Sequence, residues 1–228
     1  DISFGSAVVF EASEISAFTS TTFDSSNQKV VITTRHPTTD AGQAYGGTVS
    51  GTSISFGSPV VYESARSQKN TVIYDSTNNK TVIGFMDQDD GEKGKCVVGT
   101  VSGTSISFGS TVVFQAGEVG RLSGAFDSAN GKVVFTYNDQ LNNHYPTAIV
   151  GTVSGTSISF GTKAVITSEG TAGGAYGGAP RTNYDANTGK IITVYLHTVS
   201  GSFSNYGYVS AGAVSGTDIS FDTKVAFN

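Results

Sequence analysis

The sequence is poor in charge, in proline and in cysteine, and it contains no tryptophan. Charged residues make up 14% of the 228 residues, and the formal net charge is −5. Without an excess of Lys and Arg the chain lacks the means to neutralise phosphates, which argues against a nucleic-acid partner. No apolar run approaches the ~18 residues of a membrane-spanning helix, so membrane insertion is not expected. The single cysteine, Cys96, excludes an internal disulfide framework.

The chain is instead rich in glycine and repeats itself. It has 29 glycines, and 37% of its residues are hydrophobic, which is enough apolar material for a packed core. The segment SGTSISFGSPVVYES at 50–64 recurs with small changes at 102–116, 154–168 and 215–228, and a truncated copy occupies 1–12. Its marker phenylalanines are 52 residues apart in the first four copies and 61 apart in the last, at Phe4, Phe56, Phe108, Phe160 and Phe221.

Between these segments lies a second repeated motif, and together the two predict four strands per repeat. The motif reads FDSSNQKVVITT, YDSTNNKTVIGF, FDSANGKVVFTY and YDANTGKIITVY. In the second repeat it predicts a short strand at Val72–Asp75, a polar turn, and a strand rich in β-branched residues at Thr81–Met86. A third strand is predicted at Lys95–Val101 and a fourth at Ser105–Phe114, with a bulge or bend at Gly109.

Repeats of ~40–50 residues with four strands each are typical of β-propellers. The sequence therefore predicts an all-β fold in a single domain, a β-propeller with four blades of four antiparallel strands. The approximate repeat units are 13–64, 65–116, 117–168 and 169–228. The first strand of each unit should lie nearest the axis, and a crossing such as Ala65–Asn70 should lead from the fourth strand to the next unit.

The fourth-strand segment occurs five times, whereas the other three strands occur four times, so residues 1–12 are an extra copy of the outer strand. The C-terminal copy is expected to pair with its own third strand at Tyr208–Val214, because the connection between them is short. The N-terminal copy is then redundant. We expect it to cap the seam of the ring, or to add to a neighbouring molecule and drive oligomers.

The phrase VSGTSISFGSPVVYES resembles tandem repeats in secreted and surface proteins of marine microbes and their phages, and the resemblance extends over the whole chain. It implies a location outside the cell, or on a cell or virion surface. In blade length the repeats also resemble kelch and integrin-type propellers. The integrin-type calcium loop is echoed once, in the DQDDG stretch, which implies Ca²⁺ ligands at Asp87, Asp89 and Asp90. The alternative is a solvated acidic turn, and no other cofactor is predicted.

The four units differ mainly at one predicted rim. The first–second and third–fourth turns are nearly identical in every unit, and we call their side the uniform rim. The second–third loops and the crossings differ in every unit, and we call their side the divergent rim. Because binding residues concentrate on loops held by a rigid scaffold, we expect a ligand at the divergent rim. The alternative is that these loops are unconstrained surface.

Several residues are candidates for that ligand site. An aspartate begins the turn between the first and second strands of each unit, and twelve residues later stands a residue with metal-binding chemistry. The turn aspartates are Asp24, Asp75, Asp127 and Asp185, and the residues that follow them are His36, Asp87, Asp139 and His197. Near an axis this second set could converge on an ion or a polar ligand. The alternative is that all four are solvated strand ends. The turn aspartates themselves, and a packed and inert Cys96, are assigned structural roles. With the nearby Arg35 and the loop aromatics, the predicted ligand-binding residues are Arg35, His36, Tyr45, Asp87, Asp139, Tyr145, His197 and Tyr206.

These observations favour a lectin-like recognition or adhesion module over an enzyme. Aromatic side chains on the loops would stack on sugar faces, although the absence of tryptophan counts against a glycan ligand. The alternative is a structural spacer or assembly unit of a longer repeat protein. A propeller glycoside hydrolase is less favoured, because only Asp87 and Asp139 could supply its carboxylate pair. No catalytic residues are predicted, since the sequence has no phosphate loop, nucleophile elbow or zinc-protease motif.

Overall fold

The computed structural model describes residues 4–12, 15, 18–168, 180–198 and 205–227, with the side chains of 197, 198, 205 and 206 left out of the description. Every regular element in these residues is a β-strand, and all the pairings are antiparallel. The all-β prediction is confirmed. Because the described part of the chain contains no helix, it has none that could cross a membrane.

The strands follow the repeat. The first unit holds β1 (Ser20–Asp24), β2 (Lys29–Arg35), β3 (Ala41–Ser50), β4 (Ser53–Phe56) and the start of β5 (Val60–Asp75). The second holds the end of β5, then β6 (Lys80–Asp87), β7 (Lys93–Ser102), β8 (Ser105–Phe108) and the start of β9 (Val112–Asp127).

The third unit continues with the end of β9, β10 (Lys132–Asp139), β11 (Tyr145–Ser154), β12 (Ser157–Phe160) and β13 (Ala164–Val165). The fourth holds β14 (Arg181–Asp185), β15 (Lys190–Thr198), β16 (Asn205–Ser215), β17 (Asp218–Phe221) and β18 (Val225–Ala226). The predicted fourth strand is thus two pieces, and the break falls where Gly109 predicted it.

The crossing between units is not a separate connection, contrary to the sequence-based expectation for Ala65–Asn70. Strand β5 runs through this stretch, pairing first with β3 and then with β6. Its register shifts between Gln68 and Thr71, beside Lys69, whose φ is +52°. A bulge of this kind bends and twists a strand, so one continuous strand can leave one unit and enter the next. Strand β9 does the same between the second and third units.

In each unit a glycine of the third strand lies opposite the marker phenylalanine of the fourth strand. The register partners are Gly47 and Phe56, Gly99 and Phe108, Gly151 and Phe160, and Gly212 and Phe221. A β-carbon on any of these glycines would come within 2.7–2.9 Å of a ring atom, so only glycine lets the ring lie flat on the strand. The repeated glycine and phenylalanine therefore form one packing pair.

The core lies between consecutive units. Its three clusters join the first unit to the second, the second to the third and the third to the fourth. The largest fully buried side chains come mostly from second strands, among them Phe85, Phe135 and Tyr137. These strands are buried on both faces, which explains their continuous runs of β-branched and aromatic residues.

Consecutive units also touch through a glycine and a threonine. The residue after the marker phenylalanine is glycine in four copies, and a β-carbon there would overlap the threonine of the following Ser-Gly-Thr turn. The pairs are Gly5 with Thr52, Gly57 with Thr104, Gly109 with Thr156 and Gly161 with Thr217. In the last copy the equivalent residue is Asp222, and its N–H donates to the third strand as those of Gly57, Gly109 and Gly161 do.

The two terminal copies behave differently. The C-terminal copy pairs with β16 through β17 and β18, as predicted. The N-terminal copy forms no strand over residues 4–12. It lies against the first unit, where the Phe10 ring is 5.3 Å from Tyr45 and 5.8 Å from Phe56, while Phe4 is 89% exposed. Over residues 4–12 the N-terminal copy therefore packs on the first unit without strand pairing.

Candidate functional site

The turn aspartates of the uniform rim hold the backbone of their own turns. The buried Asp75 carboxylate accepts hydrogen bonds from Thr77 N at 2.9 Å, Asn78 N at 3.0 Å and Asn78 Nδ2 at 2.8 Å. Asp24 and Asp127 each accept the same three bonds. The structural role predicted for these residues is confirmed, and the uniformity of this rim has a local cause.

The divergent rim is formed as the sequence implied, by loops and crossings that bond to one another. Ser67 N donates to Asp40 O at 3.0 Å, and Gln88 N donates to Arg66 O at 2.9 Å. The same crossing therefore contacts the second–third loop of its own unit and of the previous one. A bond from Gln140 N to Glu118 O at 3.3 Å repeats the arrangement in the next unit.

The residues twelve positions after the turn aspartates cap the second–third loops. His36 Nδ1 accepts bonds from Thr38 N at 3.2 Å and Thr39 N at 3.1 Å. Asp87 Oδ1 accepts bonds from the N–H groups two and three residues on, and Asp139 Oδ1 accepts one from Leu141 N at 3.2 Å. The shared chemistry that suggested a metal-binding set thus has a structural explanation. The side chain of His197 lies outside the described residues.

The three aspartates proposed as calcium ligands bind protein groups: two of them share Lys95, and the third accepts a backbone N–H. Asp87 bonds Lys95 at 2.7 Å, and Asp89 accepts a bond from Arg66 N at 2.9 Å. Asp90 bonds Lys93 at 2.7 Å and Lys95 at 2.8 Å. Hydrogen bonds from Lys93 and then Lys95 lower the pKa of Asp90 to about 2. In the described part of the chain no group of three or more His, Cys, Asp or Glu is arranged to hold a metal, so the structure does not assemble the Ca²⁺ site.

The carboxylates of Asp87 and Asp139, the only pair that the sequence offers a glycoside hydrolase, have separate partners. Asp139 accepts a bond from Gln115 Nε2 at 2.7 Å and lies 3.3 Å from Lys163 Nζ. Each carboxylate is thus held by groups of its own surroundings.

The other predicted ligand-binding residues are placed at the divergent rim or beside it. Arg35 ends β2 and forms an ion pair with Asp40 at 3.3 Å. Tyr145 begins β11, half-buried, opposite Asp139 in the register. His197 and Tyr206 are register partners at the open end of the β15–β16 hairpin.

The placement of Tyr45 in a loop is wrong. It lies inside β3 and is 1% exposed, with its hydroxyl donating to Glu11 Oε2 at 2.6 Å. Burial and then the bond to Glu11 raise its pKa well above the ordinary value. The equivalent residues in the other units, counted from the strand glycine, are Val97, Ile149 and Ser210, all buried. Comparison with those residues was the signal that would have placed Tyr45 in the core.

Cys96 is fully buried, and burial raises the pKa of its thiol far above the ordinary range. The residues at the equivalent position of the first and third units, Ala44 and Ala148, are also fully buried. The interpretation of this thiol as a packed, unreactive group is therefore consistent with its surroundings.

A cavity that sequence reasoning missed is lined by all four units. It encloses about 320 Å³, within the range of about 300–1,000 Å³ typical of small-ligand sites. Its lining residues precede or begin the first strand of each unit: Phe18, Thr19, Lys69, Asn70, Arg121, Leu122 and Arg181. We call it the inter-unit cavity. Phe18, Lys69 and Arg121 each stand six residues before a turn aspartate. The sequence shows this shared position, but only the fold shows that the three residues line one cavity.

Hydrogen bonds between units fix the walls of the inter-unit cavity. The buried Asn70 donates from Nδ2 to Phe18 O at 2.7 Å and accepts from Thr33 Oγ1 at 3.0 Å. Lys69 Nζ donates to Val119 O at 3.0 Å, which links the second unit to the third. The cavity is therefore built from tied backbone segments, so its lining residues are held in place before any ligand arrives.

Neither a protein-family model nor a curated protein matches this chain. Among solved structures, the fold is similar to that of AofleA from Arthrobotrys oligospora, with a TM-score of 0.53 and 7% sequence identity over 92% of this chain. A variant of AofleA with three arginines changed to alanine gives the same TM-score at 8% identity. The chain spans 58% of the length of these proteins.

Proposed function

We propose that the four units are the blades of a four-bladed β-propeller. Support comes from the inter-unit cavity, which takes lining residues from the first strand region of every unit, as a channel around an axis would. Further support comes from equivalent contacts between first strands: Val72 N donates to Ser20 Oγ and Thr182 N to Ser123 Oγ, both at 3.1 Å. In this arrangement the N-terminal copy occupies the seam beside the first unit, where Gly5 packs on Thr52.

We propose that the chain is an extracellular recognition module that binds a glycan at the divergent rim. The observation that carries this proposal is the inter-unit cavity, since the first-strand regions of the four units supply different side chains to one fixed pocket. The cavity combines two apolar side chains, Phe18 and Leu122, with polar and charged groups that would fix the orientation of a ligand. The ligand would then be one sugar residue in one composite site, and four equivalent sites are not expected.

The divergent loops support this proposal because they share a backbone form while differing in sequence. Each of three second–third loops ends with a non-glycine residue in the left-handed region, namely Asp40 at φ +60°, Glu92 at +58° and His144 at +58°. The backbone is thus retained from unit to unit while the side chains change. This combination is typical of loops that display binding residues on a rigid scaffold.

A glycan array tests the proposal, with the full chain applied in the presence and in the absence of Ca²⁺. Thr19→Trp fills the inter-unit cavity without changing charge, and Thr77→Trp is the matched control on the uniform rim, where Thr77 is also exposed. We expect binding to a subset of glycans that Thr19→Trp abolishes and Thr77→Trp retains.

Three results would overturn the proposal in different ways. Loss of binding with Thr77→Trp alone would place the site on the uniform rim. Retention of binding with Thr19→Trp would move it away from the cavity. Binding to no glycan, with or without Ca²⁺, would remove glycan recognition and favour the spacer.

A further inference from the structure

Among the described residues, the inter-unit cavity is lined by three positively charged side chains and no carboxylate. Lys69, Arg121 and Arg181 come from the second, third and fourth units, and they are accompanied by Phe18 and Leu122. The chain as a whole is acidic, with a net charge of −5 and 13 Lys and Arg in all. The concentration of three of these cations around one small cavity therefore runs against the overall charge.

In the part of the chain that the structure describes, the two arginines of the cavity form none of the ion pairs that Arg35 and Arg66 form. On the divergent rim Asp40 joins Arg35 at 3.3 Å and Arg66 at 3.1 Å. Among the described residues neither Arg121 nor Arg181 pairs with a carboxylate. A guanidinium without a carboxylate partner keeps its planar set of donors available for one.

The surroundings of Lys69 also disfavour its positive charge. Burial lowers its pKa, and the positive charge of Arg121 acts in the same direction, while Glu118 and Glu92 oppose it. These two glutamates do not line the cavity. Like charges are thus held near one another facing the same space, an arrangement that an anion in that space would relieve.

Backbone strain is found at the same place. Phe18 has φ +82° and Lys69 has φ +52°, and a bulky residue at positive φ is a rare conformation. Both residues line the cavity and occupy equivalent positions in their units. Strained residues of this kind cluster at ligand sites, because the surrounding structure holds the side chain in a position that an unstrained backbone would not give.

We propose that the inter-unit cavity binds an acidic sugar residue, such as a uronic acid, with Arg121 and Arg181 binding its carboxylate. Phe18 and Leu122 supply an apolar wall for the sugar ring, and Asn70 is held beside them by its bond to Phe18 O. This inference rests on the proposed function and specifies the ligand class. A guanidinium binds a carboxylate through two parallel hydrogen bonds, which selects an acid over the neutral sugar of the same shape.

Titration calorimetry with sodium glucuronate tests this inference, with glucose as the neutral analogue and sodium sulfate as the free anion. We expect glucuronate to bind and glucose not to bind. Arg121→Gln should weaken glucuronate binding roughly tenfold or more, since it removes a charged hydrogen bond. Arg66→Gln makes the same charge change outside the cavity and should leave the affinity within about twofold. Arg121→Lys, which keeps the charge, should retain more affinity than Arg121→Gln, and thermal melts of all variants establish that they are folded.

The outcomes separate this inference from the proposed function. Equal binding of glucose and glucuronate, or an unchanged affinity in Arg121→Gln, would show that charge does not select the ligand. Sulfate binding as tight as glucuronate binding would show an anion site that does not recognise a sugar. If neutral glycans bind on the array and Thr19→Trp abolishes that binding, the proposed recognition function stands and the acidic ligand class is wrong.

Discussion

Gly109 lies so close to Thr156 that a β-carbon on the glycine would overlap the threonine carbonyl oxygen. The contact joins the fourth-strand segment of the second unit to the third–fourth turn of the third. It recurs between the other consecutive units and between the N-terminal copy and the first unit, where Gly5 meets Thr52. One residue type thus determines how closely neighbouring units approach.

Gly109→Ala should destabilise the protein by about 1–3 kcal/mol, because the backbone of one unit must move away from the next. Urea unfolding followed by circular dichroism measures the change. Ser110→Ala is the control, since Ser110 is exposed beside it and should change stability by less than about 0.5 kcal/mol. Equal stability of the two variants would show that the contact is not tight in solution.

Two phenylalanines of the N-terminal copy should differ sharply in their contribution. Phe10 packs on Tyr45 and Phe56, so Phe10→Ala should cost about 1–3 kcal/mol. Phe4 is 89% exposed, and Phe4→Ala should leave the unfolding midpoint unchanged. The comparison is made by thermal unfolding, with light scattering to follow the oligomeric state. A midpoint lowered by Phe4→Ala would mean that this residue is covered in solution, as pairing with a neighbouring molecule would require.

Tyr137→Phe should leave stability unchanged or raise it. The Tyr137 hydroxyl is fully buried and has no hydrogen-bond partner among the described residues, and such a group costs about 1–3 kcal/mol. Tyr195→Phe is the matched variant, because the Tyr195 hydroxyl is 3.0 Å from Ser210 Oγ and its removal should cost about 1 kcal/mol. Chemical unfolding of the two variants gives the difference. A loss from Tyr137→Phe as large as that from Tyr195→Phe would mean that the hydroxyl has a partner.

The Asp90 carboxyl should titrate at about pH 2, below its ordinary 3.8, because Lys93 and Lys95 bond the charged form. A pKa lowered by folding means that this carboxylate stabilises the protein above about pH 3.8 and that the contribution is lost as pH falls towards 2. Carboxyl NMR gives the value directly.

Lys93→Ala should raise the pKa of Asp90 towards 3.8, since Lys93 supplies the first of its two bonds. Lys80→Ala is the control, because Lys80 bonds Thr100 on the uniform rim and should leave Asp90 unchanged. Titration of Asp90 near its ordinary value in the unmodified protein would contradict the observed ion pairs.

The strands and turns were predictable because each repeat gives an independent reading of the same local pattern. The strand predicted at Thr81–Met86 is observed at Lys80–Asp87, and the polar turn before it is held by Asp75. These features depend on residues that are close together in the sequence, so the periodicity of the sequence predicts them directly.

The candidate site could not be predicted in the same way. Tyr45 is buried partly by Phe10 and Glu11, which are more than thirty residues away in the sequence. Lys69 and Arg121 lie 52 residues apart and line one cavity only because their units stand side by side. Alternation within a strand shows that a residue faces one side, but it does not show what covers that side.

At position 222 aspartate stands where the other four copies have glycine, and this changes the contact that joins consecutive units. A unit places its glycine on the threonine of the unit that follows, so each contact has a donating end, which carries the glycine, and a receiving end, which carries the threonine. At Asp222 the donating end carries a side chain and a negative charge where each other copy has a bare backbone. A β-carbon at this position is what the four glycines avoid, so the copy with Asp222 does not offer the bare backbone on which a threonine turn packs.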